Sequence, residues 1–324
     1  MSNGARLGVI APGTALTLEP KLVDAAYRAL GARGFRTLEA SQCRARVGHT
    51  AGSPEERAAA VQQFFADPNI DGIMAFWGGF QSHQILDHLD FDEIRTCPKV
   101  LIGYSDVTAL SIGIYSQTGL VTFSGPAAIT FAKPTLPEYT WESLHSTLIS
   151  AHPRRRVICS AEFADNEWYT DSQGMMFEPT PPWRTFRSGY VSGRCIAGHL
   201  GTMLLLAGTR YWPNLDGAIL IVEASEEETP ATLDRMFVQL RQMGVYDQIG
   251  GLVVGRIPRS VGFTNDDSLD AILVYALRGY DFPVLLDVDY GHTDPIMTIP
   301  IGVDVQLDAD AHTLFFPQAA VTSL

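Results

Sequence analysis

Short apolar runs that end in glycine- or serine-bearing turns, each followed by a stretch with helical spacing, recur through the first half of this chain. The run Arg6–Ile10 gives way to Pro12 and Gly13, and residues 19–34 then put Leu22, Ala25, Ala26, Ala29 and Leu30 on one side before Gly31 and Gly34. Ser53 stands before Pro54 with Glu56 three residues on, which predicts a capped helix start. Residues 70–79 read as a second buried strand closing on Gly78 and Gly79, and residues 99–105 as a third. Residues 82–89 predict a short helix, and residues 106–119 another. Strands that are apolar on both faces need helices on both faces. The expected fold class is therefore α/β, with an N-terminal doubly wound, mostly parallel sheet. In such sheets ligands meet the loops at the carboxyl ends of the strands.

The pattern breaks between Pro134 and Pro182, where prolines, the basic run Arg154–Arg156 and polar aromatic stretches suggest irregular loops. Beyond it come a second set of α/β segments and a turn-rich end that reads as strands and hairpins. The expected organisation is residues 1–150 as an N-terminal α/β domain, 151–185 as linker and substrate loops, and 186–324 as a C-terminal α/β domain rich in strands. With 46% apolar residues among 324, the chain has material for a large core and none of the composition of a disordered one. Its formal net charge of −13 repels phosphate backbones, so a nucleic-acid partner is not expected. Cys43, Cys97, Cys159 and Cys195 are scattered, which suits reduced thiols rather than a disulfide framework or a zinc site. The first residues lack a signal-peptide layout and no apolar run reaches membrane-span length, so a soluble, cytoplasmic protein without a membrane partner is expected.

The turns after the expected strands carry the chemistry. Ser105 follows one, Glu223 closes the run Ile219–Val222, and His292 sits beside Gly291. A serine, a carboxylate and a histidine on such loops are the components of an acyl-transfer triad, in which the serine attacks, the histidine carries the proton and the carboxylate orients the ring. Gly78 and Gly79, with the N–H of Asp106, are candidate oxyanion-hole donors. Each has a plainer reading. Ser105 can be a helix cap, Glu223 can open a solvated acidic face running to Glu228, and the glycines can be a tight turn. Nor is there a Gly-x-Ser-x-Gly elbow, since Asp106 and Val107 follow the serine. The residues by themselves leave both readings open, with His83 as a reserve candidate for the base. There is no His-Glu-x-x-His motif, no cluster at metal-ligand spacing and no Gly-x-x-x-x-Gly-Lys loop, so no metal or other cofactor is expected.

Taken together, "IAP" near the start, "WGGFQSHQILDHLD", "IGYSDVTAL", "GTRYWPNLDGAILIVEASEE", "LDRMFVQL" and "YGHTDP" resemble the LD-carboxypeptidase family of serine peptidases, in the family's order from about residue 7 to residue 318. Within it, "NEWYTD" and "PPWRTFRSGYVSGRCIAGHLGTM" look more like the microcin C self-immunity branch than the murein carboxypeptidases. The resemblance implies a Ser-Glu-His triad at Ser105, Glu223 and His292, a double-glycine turn at Gly78 and Gly79, an active site between the two domains, and a homodimer. It implies hydrolysis of an amide bond in a small peptidyl- or aminoacyl-nucleotide. Trimming of murein tetrapeptide and a non-catalytic ligand-binding role are the rivals. Two departures bear on substrate choice. "AGHL" replaces the branch's usual "GGNL", putting Ala197 and His199 there, and "EASEEE" replaces a shorter acidic stretch. Trp168 and Trp183 lie in polar or proline-rich surroundings, so at least one of them is expected to stack on a flat substrate group.

Overall fold

The computed structural model describes residues 1, 4–17, 19–149, 155–166 and 174–322. Strands β1 (Arg6–Ile10), β2 (Arg36–Glu39), β3 (Gly72–Ala75), β4 (Val100–Gly103) and β5 (Thr122–Ser124) pair in parallel in the order β5-β4-β3-β1-β2. Helices α1 (Pro20–Ala32), α2 (Pro54–Ala66), α3 (Phe91–Thr96) and α4 (Val107–Thr118) belong to the same half of the chain. Helix α2 starts where expected: Ser53 Oγ accepts from Glu56 N–H, and the Glu56 carboxylate accepts from Ser53 N–H. Helix α1 buries Val23, Ala26 and Leu30, one position round from the stripe read in the sequence. Residues Ser82–His88 form a 3-10 helix rather than an α-helix.

The later chain adds β6 (Arg155–Val157), β7 (Glu162–Phe163), β8 (Glu178–Pro179), β9 (Arg184–Arg187), β10 (Tyr190–His199), β11 (Ile219–Glu223), β12 (Gly251–Gly255), β13 (Val284–Val288), β14 (Ile299–Ile301), β15 (Asp304–Asp308) and β16 (Thr313–Phe316). A second sheet runs β6-β16-β15-β10-β11-β12-β13-β9, parallel from β10 to β13 and antiparallel at its flanks. Strand β14 does not join it. Ile299–Ile301 pairs antiparallel with β5 and forms an edge of the first sheet, so the late chain crosses back to the early one. No helix among the described residues is long and apolar enough to cross a membrane.

Polar contacts pin the two sheets together beside this crossing. Lys133 and Asp294 form an ion pair with side chains only 5% and 8% exposed. Tyr290 Oη and Ser124 Oγ share a buried hydrogen bond of 2.6 Å. His199 N–H, at the end of β10, donates to Thr108 Oγ1 in α4 at 2.9 Å. Removing one partner of a buried ion pair leaves an uncompensated charge, which typically costs about 3–5 kcal/mol. Lys133→Met is therefore expected to lower unfolding stability by about 3 kcal/mol, read as a shift in the urea midpoint at neutral pH; an unchanged midpoint would show that the pair does not hold the sheets.

Candidate active site

The carboxyl ends of β3 and β4, from the first sheet, face those of β10 and β11 from the second. Between them lies a cleft of about 530 Å³, lined by Ser105, His292, His199, Gly78 and Gly79 among others. Ser105 does not cap α4. Asp106 is the residue before the helix, and Ser105 sits one earlier with φ +63°, in the left-handed region that costs a non-glycine residue free energy. Such a turn lifts a side chain out of the strand-to-helix connection, the arrangement a nucleophile elbow uses. The sequence keeps the first of the elbow's flanking glycines, Gly103, and has Val107 in place of the second, yet the backbone adopts the strained geometry.

Gly78 packs directly against this turn. A Cβ there would lie 3.1 Å from Ser105 Oγ and 3.3 Å from Asp106 N, so a side chain would crowd the space in front of the serine. The Gly78 carbonyl accepts from Thr14 N–H at 3.3 Å. In a trans peptide the following N–H points the opposite way, so Gly79 N–H faces away from Thr14. Among the described residues neither Gly79 N–H nor Asp106 N–H donates a hydrogen bond. The Asp106 side chain is structural: Oδ2 accepts from Gln81 N–H at 3.1 Å and Ser82 N–H at 2.9 Å, tying the glycine turn to the start of α4. Burial pushes its pKa up, against those hydrogen bonds.

Glu223 and His292 come from the other sheet. The His292 Nδ1–H donates to Glu223 Oε2 at 2.7 Å, with the side chains 10% and 1% exposed. Gly291 makes that approach feasible. Its φ is +117°, and a Cβ there would lie 2.7 Å from Glu223 Cβ. Burial alone would lower the His292 pKa, but the charge and hydrogen bond of Glu223, with Glu226 and Glu227 behind it, leave it raised. Burial would likewise raise Glu223, and the charge and hydrogen bond of His292 outweigh it, leaving the carboxyl below its ordinary value. The bond to Nδ1 leaves His292 Nε2 free for the cleft. No hydrogen bond joins it to Ser105 Oγ among the described residues, although both residues line the same space. The Tyr104 ring stands 5.0 Å from the His292 ring, centroid to centroid.

The tryptophan expectation changes. Trp183 is 1% exposed and donates its indole N–H to Asp289 Oδ2 at 2.9 Å, so it packs the core and does not reach the cleft. The local proline-rich sequence hid this because the partner lies 106 residues away. Trp168 lies outside the described residues. The aromatic side chains that do line the cleft are Trp77, Phe80 and Tyr104, next to the glycine turn and the serine themselves. Their adjacency to "GG" and "SD" was the available signal. His199 also lines the cleft, as do Glu226, Glu227 and Glu228, whereas His83 does not.

A model of the LD-carboxypeptidase N-terminal domain matches residues 7–125, and one of the C-terminal domain matches residues 192–307. The microcin C7 self-immunity protein MccF of Escherichia coli is 32% identical over 86% of this chain and 83% of its own. The murein tetrapeptide carboxypeptidase of Pseudomonas aeruginosa is 29% identical over 94% of each chain. Among solved structures, an MccF-like protein from Bacillus anthracis superposes with a TM-score of 0.93 at 29% identity, covering 98% of both chains. MccF in complex with aspartyl sulfamoyl adenosine superposes with a TM-score of 0.93 at 28% identity, covering 99% of this chain and 98% of that one. By sequence along both halves and by fold throughout, the chain belongs to the LD-carboxypeptidase family of serine peptidases.

Proposed function

We propose that the chain hydrolyses an amide bond in a peptidyl- or aminoacyl-nucleotide, with Ser105 as nucleophile, His292 as general base and acid, and Glu223 as the carboxylate that fixes the ring. The observation that carries the reading is the strained Ser105 turn packed against Gly78, in a cleft shared with a histidine already paired to a buried carboxylate. Ser105 Oγ bonds to the acyl carbon as its proton passes to His292 Nε2. Gly79 N–H and Asp106 N–H stabilise the oxyanion that forms. The tetrahedral adduct collapses as the C–N bond breaks, and His292 returns the proton to the leaving nitrogen. Water then repeats the sequence on the acyl-enzyme and releases the acid. The bond from nucleophile to base often tightens only when substrate excludes water, in keeping with two residues that share a cleft without bonding in the free protein.

The nucleotide part of the reading rests on the aromatic rim of Trp77, Phe80 and Tyr104 and on relatives whose structures hold aminoacyl sulfamoyl nucleosides. Phe80 is 60% exposed at the mouth, where a purine has a ring to stack on. Trimming of murein tetrapeptide is the second reading, favoured by the likeness to the Pseudomonas enzyme.

Three outcomes are expected. Ser105→Ala lowers kcat/KM for aminoacyl-sulfamoyl adenosines by about a thousandfold or more with the fold intact by circular dichroism; a fully active variant would remove the serine from the mechanism. Phe80→Ala weakens the same substrates by about tenfold, the lower end of a base-stacking contribution. An enzyme that ignores them and trims murein tetrapeptide would instead select the second reading. The third concerns pH. A protonated His292 cannot act as base, so kcat/KM rises with pH through a midpoint above 6.5, the ordinary imidazole value. Glu226→Gln removes one of the charges that raise it and moves the midpoint down. A midpoint below 6.5 in the parent would contradict the pairing.

A further inference from the structure

The cleft has a one-sided charge. Glu226, Glu227 and Glu228 line it, and among the described residues no lysine or arginine does. None of the three carboxylates has an ion-pair partner among the described residues. The histidines do not offset them. His292 is paired with Glu223, so its proton balances that carboxylate and not the rim. His199 is held neutral, because burial lowers its pKa despite the nearby Glu223. The rim charges also act on each other: burial first, then Glu226 and Glu228, raise the Glu227 pKa.

His199 supplies an independent sign of a ligand. The residue is 8% exposed. Its Nδ1 accepts from Thr202 N–H at 3.2 Å, which leaves the proton of the neutral ring on Nε2. That Nε2–H is buried and has no protein partner. A Cβ on Gly201 would lie 3.2 Å from Glu228 Oε1 and 3.3 Å from His199 Cε1, so the carboxylate and the imidazole both border Gly201 in the cleft wall. An unbonded donor and unbonded carboxylates lining one cleft match a group that presents an acceptor near a cation. A metal ion does not fit, because no group of three or more acidic, histidine or cysteine side chains among the described residues is arranged to hold one.

We infer that this cleft selects substrates whose acyl side chain carries an ammonium group, beyond the α-ammonium common to aminoacyl compounds, held at the Glu226–Glu228 rim, with His199 Nε2–H donating to a neighbouring carbonyl. The inference rests on the reading of the cleft as an amide-hydrolysing site. It sets the preferred side-chain charge opposite to that of the aspartyl side chain held in the MccF complex.

The test uses lysyl-, norleucyl- and glutamyl-sulfamoyl adenosine. Binding is measured by calorimetry on the Ser105→Ala protein, and hydrolysis on the parent. At low salt the lysyl compound is expected to bind about tenfold or more tightly than the glutamyl one, with norleucyl between, since one added opposite charge near a protein surface is worth that much. The preference should shrink several-fold in the Glu226→Gln/Glu227→Gln/Glu228→Gln variant and with added salt. Glu227→Gln alone, at an exposed position, should show part of the effect without risk to folding. Equal binding of lysyl and glutamyl compounds overturns the inference, and their hydrolysis would then still support the amide-hydrolase reading. A lysyl preference without hydrolysis supports the inference and sinks the nucleotide reading. Binding of none of the three overturns the inference.

Discussion

Everything in the candidate site depends on holding two sheets at a fixed distance, because Ser105 belongs to one and Glu223 and His292 to the other. Apolar contact alone is a poor ruler for this; it rewards burial with little regard to direction. The seam therefore carries directional contacts. The Lys133–Asp294 pair, the Tyr290–Ser124 hydrogen bond and the His199–Thr108 hydrogen bond each have one partner in each half of the chain. Two of them flank His292 in sequence, at Tyr290 and Asp294. A buried ion pair gains little net stability over well-packed apolar residues, but it tolerates only a narrow range of geometries. Strand β14 adds backbone pairing to β5 a few residues further on. The histidine loop is thus anchored on both sides to the half of the chain that carries Ser105.

The Ser105 side of the cleft is organised by a buried cation. Arg57 is wholly buried and donates to the Pro12 and Gln81 carbonyls and to Gln84 Oε1. Those acceptors lie on the turn after β1 and the loop after β3. Asp106 draws the same loop toward α4 through Gln81 N–H and Ser82 N–H. The glycine turn is consequently held from both sides by charged groups, although it has no regular structure of its own. That rigidity gives meaning to unbonded N–H groups. Donors fixed before the reaction need not reorganise when an oxyanion appears.

The sequence made visible whatever is local. The capped start of α2 could be read from Ser53, Pro54 and Glu56 because every group in the capping box lies within four residues. The buried strands announced themselves as short apolar runs. Whatever depends on distant partners stayed hidden. The left-handed Ser105 turn packs against Gly78, 27 positions earlier in the chain, and Asp106 takes the position before the helix, so the helix-cap reading was locally reasonable and structurally wrong. Trp183 sits in a stretch of prolines and charge, yet its indole finds Asp289 in the core. The return of β14 to the first sheet follows from Ser124 and Phe123 waiting at an open edge, which no count along the chain reveals. The acidic run after Glu223 looked like a solvated face. It is partly that, but the same loop leads out of the strand that carries the orienting carboxylate, so its charges line the cleft.

One carboxylate and two imidazoles share the buried end of this cleft, and their energetics assign the roles. Glu223 is one residue deep in the wall and can neutralise a single proton at close range. A second protonated ring beside it would add a buried charge with no partner, and would repel the first across 5.5 Å between ring centroids. The proton therefore goes to the ring with the direct hydrogen bond, His292. His199 has its Nδ1 committed to Thr202 and stays neutral, its pKa lowered by burial. The asymmetry comes from one hydrogen bond. The same chemical group is thus paired and easily protonated on one side of Glu223, and neutral with an unbonded N–H on the other.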